Sequence, residues 1–395
     1  MTTIINADTS GGLKLTSDTS GALEIQSAGT TKLTVGSAGV DVPAITGLAS
    51  INSGQIGGSR NKIINGAMEI NQRGTAATAT NATYISDRWR MAEAGGGNLT
   101  CQVVADAPAG FRNSIKAIAS TADDCSQAND EYAVNQHIEG NNIVGLYFGN
   151  SGAKTVTLSF WVKSSLTGNF SCSIHNSPLN RSLAKQYNIA QANTWEKKSV
   201  VLTGDEAGSW TIDTGIGIRL TFNLGAGSAQ TGTLDAWQGS RVARGSSTVQ
   251  FMATVNATWF VTGVQLEVGS TATDFEYRSF TDELALCQRY YYRNVAQVTY
   301  ATFAIGVVDS AASCCGVYAK HPVKMRAIPT ITISGGRLWD VGAAPAITGL
   351  AGTWSTTDHM CQCFDASGGG LTAGRACIIQ ANGNAADYLA ADSEL

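Results

Sequence analysis

Four histidines (His137, His175, His321, His359), nine cysteines and a few adjacent carboxylates are the side chains here that could carry nucleophilic, general-base or metal chemistry. The histidines are too few and too scattered for a triad, and no Gly-x-Ser-x-Gly turn raises a serine nucleophile. Glycoside hydrolysis needs two carboxylates held about 5 or about 6.5–9.5 Å apart. The pairs Asp123-Asp124, Asp205-Glu206 and Asp282-Glu283 do not supply them. Neighbours in a strand point to opposite faces, and acids at a helix start serve its dipole. Gly149-Asn-Ser-Gly152-Ala-Lys-Thr155 has the look of a phosphate loop but leads into a strand pattern, whereas a phosphate loop must open a helix. The expectation is a chain that is not an enzyme and carries no cofactor.

The sharpest cluster is His359-Met-Cys361-Gln-Cys363. In a strand, period two sets His359, Cys361 and Cys363 on one face, and three copies near a threefold axis could ligate a soft metal. The same pattern suits small residues packing inward. The cysteine count is odd and the spacing unpaired. Met1-Thr-Thr-Ile-Ile-Asn6-Ala-Asp8 turns polar at once, which predicts no secretory leader. The cysteines are therefore expected to be reduced thiols packed as small apolar groups, Cys314-Cys315 included.

Sugar recognition uses aromatic faces with hydrogen-bonding rims. Trp237 in Asp235-Ala-Trp-Gln-Gly-Ser-Arg241, Trp339 beside Asp340, and Trp354 in Gly352-Thr-Trp-Ser lie in loop-like sequence. Trp237, Arg241, Trp339, Asp340 and Trp354 are the candidate binding residues. Trp161, Trp195 and Trp259 sit inside strand patterns and are expected in the core.

The elements that must position these residues are strands. Charged residues are 14% of the 395, against roughly 25% in an average soluble protein. Glycine supplies 44 residues and proline 6, while 43% of the chain is hydrophobic. That balance excludes disordered, collagen-like and long-helical chains. A net charge of −4 gives no footprint for nucleic acid or an anionic membrane surface. The most apolar stretch, residues 302–319, is broken by Asp309, Ser310 and Ser313, so no membrane insertion is expected.

Leu13-Lys-Leu15, Leu23-Glu-Ile25 and Leu33-Thr-Val35 recur every ten residues. Each unit reads as a three-residue strand and a Gly/Ser/Thr turn, too small to bury its two apolar residues alone. Leu13, Leu15, Leu23, Ile25, Leu33 and Val35 are expected to form the core of a homotrimeric β-stalk. Further on, 155–163, 170–174, 195–202, 216–222 and 258–267 alternate as half-buried strands, which predicts a β-sandwich or jelly roll. Ser279-Phe-Thr-Asp282 caps one helix, with Leu284, Cys287 and Tyr291 on its packed face. The predicted architecture is mainly β: a repetitive stalk and anchoring segment (1–58), a jelly roll (59–278), a connecting helix (279–295) and a C-terminal β head (296–395).

Asn61-Lys-Ile-Ile-Asn-Gly66, Gln72-Arg-Gly74 and Asp87-Arg-Trp89 resemble the opening of a domain of bacteriophage tail fibres. Val264-Gln-Leu-Glu-Val-Gly269, Leu286-Cys-Gln-Arg-Tyr-Tyr291, Val323-Lys-Met-Arg-Ala-Ile-Pro-Thr330 and Ser393-Glu-Leu395 are similar to its closing strands, helix and head. The resemblance covers residues 61–395. It implies a jelly roll like those of carbohydrate-binding modules, a homotrimeric virion fibre joined to tail or capsid proteins through its N-terminal segment, and adhesion to a host-surface glycan or receptor. It hands over no binding site. A structural role, as a head fibre, decoration or tail connector, is the alternative, and a glycan depolymerase the third.

Overall fold

The computed structural model describes residues 23–27, 30–36, 39–41, 60–74 and 83–395. The chain divides into two compact units, Met1–Ile51 and Asn52–Leu395. In the first, β1 (Leu23–Ser27), β2 (Thr30–Gly36) and β3 (Gly39–Asp41) form an antiparallel sheet in that order. Its register sets Leu23 opposite Val35 and Ile25 opposite Leu33. Repeat units therefore pair with one another inside one chain, and β1 and β2 are five and seven residues long rather than the expected three. Leu13 and Leu15 lie outside the described residues.

The second unit is a jelly roll followed by a smaller β region. The jelly roll contributes β4 (Tyr84–Ser86), β5 (Trp89–Ala94), β6 (Asn98–Val104), β7 (Ser114–Thr121), β8 (Glu131–Glu139), β9 (Val156–Ser164), β10 (Gly168–His175), β11 (Ser182–Ile189), β12 (Glu196–Leu202), β13 (Ile216–Ala226) and β14 (Thr258–Val268). They form a six-stranded sheet, β11-β10-β13-β8-β5-β4, and a five-stranded sheet, β12-β9-β14-β7-β6. Period-two alternation drives the packing. Val156, Leu158, Phe160 and Val162 of β9 and Ile218, Leu220, Phe222 and Leu224 of β13 are fully buried in one core. Trp259 is buried there, as expected, whereas Trp161 and Trp195 are only half-buried.

The phage-like strings prove to be couplings. Asn61 closes the start of the unit onto β14: its Nδ2 donates to Val264 O at 3.1 Å, and its Oδ1 accepts from Leu266 N at 3.0 Å. Asn65 Nδ2 reaches Ile70 O, Ser86 Oγ and Asp87 O. Gly66 is required because a Cβ there would stand 2.2 Å from Val264 O. The side chain of Gln72 bridges Asp87 and the Tyr291 carbonyl.

Helix α1 (Phe280–Gln288) is capped as expected, Ser279 Oγ accepting from Asp282 N. It ends before Tyr291, which belongs to the next strand. Cys287 is buried, with Leu284 packed nearby, so the packed face is shorter than expected. Arg278 pairs with Glu276 and Glu283, Arg289 with Glu139, and Glu267 with Arg60.

Beyond the helix come β15 (Tyr291–Val295), β16 (Thr302–Ser310), β17 (Ser313–Lys320), β18 (Thr330–Ser334), β19 (Gly336–Trp339), β20 (Ile347–Thr353), β21 (His359–Ala366), β22 (Ala376–Ala381) and β23 (Tyr388–Asp392). They form sheets ordered β15-β23-β18 and β19-β22-β16-β17-β21-β20 over a second core. The residues after β23 fasten this region to the jelly roll. The Arg88 guanidinium, 1% exposed, pairs with Glu394, donates to His137 O and lies 3.5 Å over the Tyr290 ring. Arg326 Nε and Nη2 donate to Ser393 O and Glu394 O, and Tyr84 Oη donates to Leu395 O.

The cysteine expectation fails at one place. A bulge in β17, between Cys314 and Val317, brings Cys315 against Cys363 of β21, with Cα atoms 4.1 Å apart, and the two form a disulfide. The other seven cysteines are free thiols. His359, Cys361 and Cys363 do alternate on one side of β21, opposite the buried Met360, Gln362 and Phe364. Cys363, however, spends its sulfur on Cys315 rather than on a metal, and the His359 ring packs on Tyr318.

Two outcomes follow. Glu394→Gln leaves the Arg88 cation buried without its counter-charge, which costs about 3–5 kcal/mol. Urea unfolding is expected to show that loss, and a change within error would refute the fastening role. Alkylation of the denatured, unreduced protein is expected to label seven thiols and, after reduction, nine. Closing 48 residues is worth at most about 4 kcal/mol, so reductant is expected to lower the melting temperature.

Candidate functional site: the polar face of the six-stranded sheet

Each strand of the six-stranded sheet alternates between the core and an outer face, and pairing fixes the rows of that outer face. The first row is Ser182, His175, Arg219, His137. The second is Ala184, Ser173, Thr221, Asn135, Arg90, and the third Gln186, Ser171, Asn223, Ala133, Ala92. Across β4 the second row ends on Tyr84, and none of the three rows contains a carboxylate.

An outward polar face is ordinarily wet. Here Ser171, His175, Asn223, His137 and Asn135 are only 1–6% exposed. Two segments wrap the face. Asn176 Oδ1 accepts from Asn180 N and Arg181 N, which folds the β10–β11 turn and sets Leu179 beside the sheet. Ser182 Oγ donates to Ser240 O and accepts from Val242 N, tying residues 240–242 over the first row. A cleft of about 170 Å³ is left, lined by Arg90, Asn135, His137, His175, Arg219 and Thr221, with Glu131, Leu179 and Arg241 flanking them.

Several buried polar atoms on this face have no partner in the protein: Asn135 Oδ1, Ser171 Oγ, His175 Nδ1, and both side-chain polar atoms of Asn223. Leaving such groups unpaired costs about 1–3 kcal/mol each. Amides, hydroxyls and imidazole both donate and accept, which is the complement a polyhydroxylated ligand needs.

The charges are unbalanced. Glu131 is held by Arg241. Among the described residues no carboxylate forms a salt bridge with Arg90 or Arg219. Burial, then Arg90 and Arg241, push the Arg219 guanidinium below its ordinary pKa. His137 Nε2 accepts from Arg219 at 3.1 Å, so its Nδ1–H donates to Leu395 O at 3.0 Å. Burial and the neighbouring arginines lower both His137 and His175 to about 3, so both are neutral.

Of the residues chosen from sequence, Arg241 alone reaches this cleft. Trp237 is half-buried against Phe148 and Trp210, its Nε1 donating to Thr203 O. Trp339 and Trp354 are exposed on the C-terminal region, at 38% and 61%. Asp340, expected beside them at the surface, is turned inward. Its carboxylate accepts from Gly342 N, Ala343 N and Thr372 N, and these bonds hold it below the usual carboxylate range. It closes a turn.

A larger groove of about 660 Å³ runs beside α1, but its charges are consumed. Arg278 is paired with Glu276 and Glu283, Arg289 with Glu139, and Asp282 accepts from Ser279. The sheet face is the better-built site.

No protein-family model and no curated protein matches the chain. Solved structures similar to it include the enzymatically active domain of tailspike protein 4 of bacteriophage CBA120, at 14% identity and a TM-score of 0.30. That overlap covers 53% of this chain and 21% of the tailspike chain. A family 16 carbohydrate-binding module is 15% identical, with a TM-score of 0.26, over 52% of this chain and 99% of the module. The family 11 module of Clostridium thermocellum, in complex with a β-1,3-1,4-mixed-linked tetrasaccharide, is 9% identical over 47% of this chain and 91% of its own, with a TM-score of 0.26. Likenesses of this size carry no information about a ligand; the rows of the sheet do.

The neutral histidines make stability pH-dependent. Their folded pKa values lie below the unfolded value of about 6.5, so their contribution is complete above that pH and is lost as pH falls toward 3. Asp87, whose buried carboxyl is lifted to about 6, opposes this between about 4 and 6. Melting temperatures from pH 7 to 4 are therefore expected to fall less in His137→Gln/His175→Gln than in the parent protein. Identical slopes would contradict neutral, buried imidazoles.

Proposed function

We propose that this chain is a non-enzymatic glycan-binding protein of a phage fibre, and that the saccharide lies on the outer face of the six-stranded sheet. The observation that carries the reading is the set of buried, unpartnered polar atoms on this face: those of Asn135 and His175, which line the cleft, and those of Ser171 and Asn223 in the third row. Sugar hydroxyls would satisfy them, turning a folding cost into binding energy. The resemblance of residues 61–74 and 264–291 to phage fibres supports a virion location and adhesion to a host surface.

A second feature favours an assembly of several copies. On the C-terminal six-stranded sheet Trp339 pairs with Ile378, Ile378 with Ile305, and Ile305 with Tyr318, giving an apolar row across four strands. Ile305 is 63% exposed and Tyr318 51%. Exposed apolar rows of this kind mark interaction surfaces. A homotrimer would use it, and would multiply weak single-site binding to a cell surface.

A glycan array probed with the full chain at micromolar concentration tests the reading. Binding is expected to drop at least tenfold in Asn135→Ala/Asn223→Ala and to persist in Trp354→Ala. No binding to any glycan, or loss only in Trp354→Ala, would overturn it.

A further inference from the structure

We infer that the sugar bound on this face is anionic, and that Arg90 and Arg219 receive its negative group. The inference rests on the glycan-binding reading and adds the ligand's charge to it. Of the three guanidinium groups lining the cleft only that of Arg241 has a carboxylate, Glu131. Arg219 spends Nη1 on His137, and its Nε is buried without a partner, as is Nε of Arg90. Asn135 is paired across the strands with Arg90 on one side and Thr221 on the other, and Arg219 lies one row away, opposite His137. Both histidines of the first row are neutral, and His137 Nδ1–H is already donated to Leu395 O, so neither imidazole neutralises a charge there.

Two cations without a salt-bridged carboxylate at a half-closed site repel each other, and the interaction is amplified where water is thin. An anion placed between them removes that repulsion and accepts charge-assisted hydrogen bonds from planar guanidinium forks. A neutral sugar would satisfy the amides and hydroxyls but leave the repulsion in place. A uronate carboxylate and a sugar phosphate or sulfate present the same chemistry to these side chains.

The test uses the full chain on an array holding neutral, uronate-containing, phosphorylated and sulfated glycans, read at low and at 0.5 M salt. Acidic glycans are expected to dominate the signal and to weaken sharply with salt. Arg219→Gln and Arg90→Gln are each expected to cut binding to them at least tenfold, with melting temperatures near that of the parent. Arg112→Gln, on an exposed position elsewhere, is expected to bind like the parent. Whether the uronates or the phosphate and sulfate esters respond identifies the anionic group. Signal from neutral glycans that survives Arg219→Gln would overturn this inference and keep the glycan-binding reading. No signal from any glycan would overturn both.

Discussion

A polar atom removed from water costs free energy unless something hydrogen-bonds it, and this constraint organises the molecule. At the junction of the jelly roll and the C-terminal region it is met from within. Arg88 is buried, yet Glu394, the His137 carbonyl and the Tyr290 ring surround it. Glu139 is buried, yet Arg289, Tyr290 and Asn141 donate to it. On the outer face of the six-stranded sheet the same constraint is left open, because amide, hydroxyl and imidazole atoms there lack protein partners. One strand, β8, takes part in both. Its even positions Tyr132, Val134 and Ile138 pack inward, while Asn135 and His137 belong to the cleft and Glu139 to the junction.

The junction matters to the site as well as to stability. Leu395 O receives Tyr84 Oη and His137 Nδ1 at the end of the first row. The final residues thus fix the tautomer of an imidazole beside the cleft and leave His137 Nε2 to accept from Arg219. His137 therefore belongs to both the junction and the candidate site.

Much of the scaffold was legible in the sequence. The alternations in 155–163 and 258–267 correspond to β9 and β14, and the Ser279 cap lies where the helix begins. Local spacing determines these features. The site was not legible, because its residues come from five strands that are not consecutive. Ser171, Ser173 and His175, or Arg219, Thr221 and Asn223, each read as an ordinary solvent phase of one strand. Only the order β11-β10-β13-β8-β5 lines them up. A faint signal existed, since these phases hold Ser, Thr, Asn and His where a wet face would carry Lys and Glu. The loop tryptophans lie off this face, and Trp237 packs against Phe148 and Trp210. The Cys315–Cys363 bond escaped for a related reason: a bulge, invisible to period-two reasoning, brings the two residues together.

The most direct measurement is a crystal structure of the full chain bound to its tightest array glycan. The account predicts sugar hydroxyls on Asn135, Ser171, His175 and Asn223, with an anionic group between Arg90 and Arg219. A saccharide stacked on Trp339 or Trp354, with the sheet face untouched, would contradict it.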